Sequence, residues 1–137
     1  MRFFRYFSGH APAILVLAIC IGCHSTGSTD LSFTVAVIRG SVSSGAGAPL
    51  ANVDVTVNSY FLPCASGATP VANATGRTAT DGSYRIEIVT PTAPTTQCVS
   101  VTATTGGKQA TVAGGQVQFK REGDLPYDSV QVDVVIP

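Results

Sequence analysis

Thr78-Ala79-Thr80-Asp81-Gly82-Ser83-Tyr84-Arg85-Ile86-Glu87-Ile88 is the stretch from which the fold is read. Asp81-Gly82 is a strong turn signal: aspartate bonds the backbone that follows it, and glycine accepts a positive φ. Beyond the turn, Tyr84, Ile86 and Ile88 alternate with Arg85 and Glu87. A period of two sends the apolar side chains to one face and the charges to the other, as in a half-buried strand. The pattern is that of a β-protein.

The same alternation recurs on both sides of this stretch. Upstream, Ala36, Ile38, Gly40 and Val42 share a face opposite Arg39 and Ser41, and Val53, Val55 and Val57 alternate with Asp54, Thr56 and Asn58. Downstream come Val99, Val101 and Ala103, a short segment at Thr111-Val112, then Val117 and Phe119. Val130, Val132, Val134 and Ile136 close the series, with Gln131 and Asp133 on the other side. Gly-rich residues 43–49, Pro91 and Pro94, Gly106-Gly107, Gly114-Gly115 and a turn at 122–126 divide the strands. Residues 61–77, with Pro63, Cys64, Gly67 and Pro70, read as one long loop. No segment after residue 22 sustains a 3.6-residue period. Six to eight short strands at regular spacing imply a two-sheet antiparallel sandwich.

The amino terminus reads differently. Arg2 and Arg5 precede an apolar run of 12 residues, 11–22, that ends at Gly22-Cys23. A basic head, a short apolar core and a small residue before the cut make an export signal over residues 1–22. A membrane-spanning helix is one rival reading, but it needs about 20 apolar residues; ordinary secretion with cleavage elsewhere is the other. Gly22-Cys23 resembles the lipobox of bacterial lipoproteins, with Cys20 where leucine is usual. Cys20 itself competes as acceptor, preceded by β-branched Ile19. The resemblance implies that Cys23 is acylated and becomes the new terminus, fixing the chain to a membrane by two or more acyl chains. One chain alone binds only marginally. In the sorting rule of enteric bacteria an aspartate after the cysteine retains a lipoprotein in the inner membrane; His24 therefore favours the outer membrane of the cell envelope. Residues 23–31 are small and polar and read as a lipidated tether, reaching on the order of 15 Å as a coil.

Removing 22 of the 137 residues leaves 115, enough for one domain, residues 32–137. The 115 residues keep six Lys and Arg against eight Asp and Glu, a difference of −2, with no basic stripe. Nucleic acid is excluded as a natural partner on that ground. Of the four cysteines, Cys64 and Cys98 remain once Cys20 is removed and Cys23 acylated. An even pair in an oxidising compartment is expected to form a disulfide, the alternative being two separately buried thiols.

Ile38-Arg39-Gly40-Ser41-Val42, Ala48-Pro49-Leu50-Ala51-Asn52-Val53-Asp54-Val55 and Thr78 to Ile86 occur in an order that resembles the carboxypeptidase regulatory-like domain. That resemblance covers about residues 35–104. It implies an all-β, antiparallel Greek-key sandwich of about seven strands, transthyretin-like (prealbumin-like). Each motif has a mechanical reason: Gly40 permits close packing, Pro49 stiffens the approach to a strand, and Gly82 turns the chain before Tyr84 enters the core. Ala79 departs from the family, which usually has aspartate there. In the family's enzymes the domain is an accessory beside a catalytic one, so the resemblance implies no peptidase activity here.

Catalytic chemistry finds little purchase. His24, beside the anchor, is the only histidine after residue 22, which leaves no Ser-His-Asp or Cys-His arrangement in the domain. No metal site and no cofactor are expected. Glu122, Asp124 and Asp128 lack the spacing of a calcium loop and read as a solvated turn. Asp54 and Glu87 are outward strand residues. Tyr60, Phe61 and Tyr127 adjoin loops and are the candidate recognition residues; the bland alternative is that they cap the core. Asn73-Ala74-Thr75 matches a glycosylation acceptor without meaning in a bacterial chain. The expectation is a non-enzymatic, lipid-anchored envelope protein whose sandwich is an interaction or structural module, with another envelope protein as partner. Binding of a glycan or other small ligand is the alternative, disfavoured by the absence of tryptophan, and a transthyretin-like hydrolase is the remote one.

Overall fold

A computed structural model describes residues 32–137. The leader, the expected lipidation site Cys23 and the tether lie outside the described residues. Eight strands follow in order: β1 (Thr34–Ser44), β2 (Asp54–Phe61), β3 (Ala72–Arg77), β4 (Ser83–Thr90), β5 (Thr95–Thr105), β6 (Lys108–Arg121), β7 (Ser129–Gln131) and β8 (Val134–Ile136). No helix occurs among the described residues. The all-β reading holds.

The strands run β3-β2-β5-β6-β1-β4, with β7 and β8 on the side of β1 away from β4. β6 joins the two layers: it pairs with β5 from Lys108 to Phe119, then with β1 through Lys120 and Arg121. The two open edges meet, for β3 lies beside β4 and a Cβ at Gly76 would sit 3.0 Å from Ile86 Cγ1. Around the molecule β2, β3 and β4 follow one another and β1 lies beside β4, a Greek-key order.

The predicted inward positions fill the core. Ala36, Ile38 and Val42 of β1, Val55 and Val57 of β2, and Ile86 and Ile88 of β4 are buried. Val99, Val101 and Ala103 of β5 meet Val117 and Phe119 of β6 between the layers. Burial of each valine, isoleucine or phenylalanine among them contributes about 1.5–3 kcal/mol, the main force holding the layers together. β1 goes further than its alternation predicts: Val35 and Val37, on its other face, are buried too. At one end the core turns polar, where Thr34, Thr90 and Thr92 bond one another through their hydroxyls and Gln97 Nε2 donates to Thr92 Oγ1.

Three sequence expectations are corrected. Residues 61–77 are not one loop; residues 72–77 form β3, paired with β2 from Asp54↔Arg77 to Ser59↔Ala72. Their alanine, threonine and glycine carry no apolar alternation to read. Gly114-Gly115 does not end a strand but forms a bulge within β6, opposite Val99/Ser100. The tail is not one antiparallel strand: it breaks at Val132 and Asp133 into β7 and β8, both parallel to β1. Asp133 accounts for the break, because its carboxylate turns aside to accept bonds from Ser41 N and Ser41 Oγ at 2.8 and 2.9 Å.

Candidate functional site

Alternation along β2 turns Val57 and Ser59 inward and therefore Tyr60 outward; along β5 it turns Gln97 and Val99 inward and Cys98 and Ser100 outward. Tyr60 stands directly opposite Cys98, and its hydroxyl lies 3.4 Å from Ser100 Oγ. Residues 62–71 leave the end of β2 and fold back over this face. Cys64 is bonded to Cys98, with Cα atoms 5.7 Å apart, so the loop is stapled to the middle strand of the sheet. Cys64 N donates to Phe61 O, Ala68 N to Ala65 O and Val71 N to Ser59 O, which shapes the loop into a short arch.

Beneath the arch is a groove of about 530 Å³, a size that suits a small ligand or a short chain segment. Tyr60, Cys98, Ser100, Thr111 and Ala113 form its floor, and Ala65, Ser66, Gly67 and Ala68 its wall. No ionised side chain lines it. Beyond the groove the outer face is a lattice of uncharged polar groups. Thr75, Thr56, Thr102 and Thr111 stand in one cross-strand rank, and Asn73, Asn58 and Ser100 in the next. Strands are about 4.8 Å apart, so such ranks present hydroxyls and amides at a regular step. Thr102 Oγ1 and Thr111 Oγ1 already bond at 2.8 Å. The first charges come at the far end, where Arg77 Nε donates to Asp54 Oδ1 at 2.7 Å.

The candidate recognition residues separate. Tyr60 lines the groove; Phe61, next to it, is exposed at the end of β2 and takes no part in the lining. Tyr127 accepts a bond from Gly123 N and braces the turn after β6. The carboxylates are dispersed as well: Asp128 Oδ2 accepts from Gln118 N, Arg85 donates to Glu87, and among the described residues no three His, Cys, Asp or Glu side chains gather as metal ligands. The wall of small residues at 65–68 carried no sequence signal. The threonine ranks did carry one, at outward positions 56, 102 and 111, but only pairing shows that they align.

Two perturbed groups lie away from the groove. Tyr84 is held protonated above the usual tyrosine range, first by burial and then by the charge of Asp133. Asp133 is held below the usual carboxylate range by the Ser41 hydroxyl and by Gln131. Both belong to the β1–tail junction rather than to a cleft.

No protein-family model and no curated protein sequence matches the chain. Among solved structures, it is similar to 3-chlorocatechol 1,2-dioxygenase from Rhodococcus opacus 1CP, at TM-score 0.46 and 14% identity over 79% of this chain and 61% of that one. It is also similar to an alternative pilotin from the type II secretion system of Vibrio cholerae, at TM-score 0.38 and 19% identity over 74% and 95%. A candidate carbohydrate-binding protein from Pseudomonas aeruginosa follows at TM-score 0.31 and 16% identity over 79% and 92%. The chain thus spans about three fifths of the length of the dioxygenase.

Proposed function

We propose that this protein is a lipid-anchored, non-enzymatic binding module of the bacterial cell envelope, with a domain of the carboxypeptidase regulatory-like type. Cys23 carries the anchor, and the groove beneath the stapled arch receives an uncharged segment of another envelope protein. The observation that carries the binding role is the groove itself: a concave, charge-free site whose wall is clamped by a covalent bond. The staple fixes the shape of a loop of small residues that backbone bonds would otherwise hold alone. The domain type is supported by the placement of its motif residues, with Gly40 beneath Tyr84 and Gly82 tight against Val42 O.

A photo-reactive residue at Ser66, in the wall, tests this reading in intact cells. The expected result is one discrete cross-linked species, identified by mass spectrometry and lost on Tyr60→Ala. A cross-linking pattern unchanged by Tyr60→Ala would refute the groove as the contact. The polar ranks favour a second reading, a glycan lying across Thr56, Thr102 and Thr111. It predicts saturable binding to a glycan array that Tyr60→Ala abolishes and Tyr127→Ala leaves intact, since only Tyr60 lines the groove.

A further inference from the structure

The exposed apolar side chains of the domain are not scattered. Phe33 immediately precedes β1; Val89 is the next-to-last residue of β4; Phe61 ends β2 and Leu62 follows it; Leu125 tips the turn after β6. Strand pairing puts all five at one end of the sandwich, because Thr34 pairs with both Thr90 and Arg121, Thr95 with Phe119, and Gln97 with Phe61. Of the large exposed hydrophobics only Val135 lies elsewhere, on β8. The opposite end, with connections 45–53, 78–82 and 106–107, has Val135 alone, paired with Ser43, against five at the first. Leu125 is 73% exposed and Phe61 54%, so both present most of their surface to solvent.

The chain enters the domain at this same end, at residue 32, nine residues after Cys23. We infer that this end docks on the lipid bilayer, with Phe33, Phe61, Leu62 and Leu125 entering the headgroup boundary. The inference rests on the proposed acylation of Cys23, because a tether reaching on the order of 15 Å keeps that end near the membrane. Apolar tips then supply the second signal that acyl anchors commonly join to. Lys120 and Arg121 stand near Glu122, Asp124 and Asp128, so the end carries no surplus of positive charge. Docking is therefore driven by apolar contact and is independent of anionic lipid. The domain is held in one orientation, its strands rising from the surface and its groove opening sideways.

The absence of tryptophan offers a clean probe. The full chain is reconstituted in phosphatidylcholine vesicles as Leu125→Trp and, separately, as Thr80→Trp at the opposite end, with intact mass reporting acylation in each sample. Brominated lipid should quench the residue-125 reporter at least about twofold more than the residue-80 reporter, equally with and without phosphatidylglycerol. Adding Phe33→Ser and Phe61→Ser should remove most of that difference. Equal quenching of the two reporters on an acylated chain would overturn docking and leave the anchor standing. An unacylated chain would refute the anchor; quenching at residue 125 by excess vesicles would then still sustain docking, and its absence would overturn that as well.

Discussion

A methyl group on Gly40 would lie 1.8 Å from Val132 O and 2.9 Å from Tyr84 Oη. That same carbonyl accepts the Tyr84 hydroxyl at 2.5 Å, so three residues from β1, β4 and the tail meet at one point. Gly40→Ala must push the tail away, and should cost about 3 kcal/mol or more, read as a lowered midpoint in urea. Tyr84→Phe keeps the ring and loses the bond, at about 1–2 kcal/mol. The two also differ with pH. Tyr84 is raised, so its contribution is full below about pH 10 and fades as the unfolded chain ionises above it; Tyr84→Phe should flatten the alkaline limb of a stability–pH curve. Asp133 and Asp81 are lowered, the latter by Ser83. Their contribution is present above about pH 4 and lost below it, modestly, since both are exposed. Gly40 and the inward Tyr84 were legible in the sequence. Their shared acceptor was not, because no local pattern says which distant carbonyl arrives there.

Strands with strict alternation were read correctly, and β4 is the clearest: Tyr84, Ile86 and Ile88 are buried while Arg85 and Glu87 form an exposed pair. Elements without such contrast were misread. β3 is built of Ala72, Asn73, Ala74, Thr75 and Gly76, which differ too little in polarity to show a period. β6 carries its bulge at two glycines that look like a terminus. The arch of residues 62–71 depends most on its staple, which closes a separation of 34 residues. Reduction, or Cys64→Ser with Cys98→Ser, should lower stability by roughly 3–4 kcal/mol in the chain-entropy model, measured by calorimetry with and without reductant. The arch should then lose protection from hydrogen exchange before the sheets do, because backbone bonds alone hold it.

At the scale of the molecule, two surfaces divide the proposed work. The groove and its polar ranks lie on the flank of one sheet, while the apolar tips lie at the end where the chain enters. A tether alone leaves a domain free to tumble; contact at its base makes the flank face along the membrane. The polar groups and the apolar tips were visible in the sequence residue by residue, but their gathering into ranks and at one end follows from which strands pair, which alternation alone does not name. One further consequence lies in β1. Its far side is completed by β7 and β8, contributed by residues 129–136, so the first strand made waits for the last. Partners so far apart in sequence pair late, so the sandwich cannot close until residues 129–136 are in place, and until then much of that side of the first strand is an open edge.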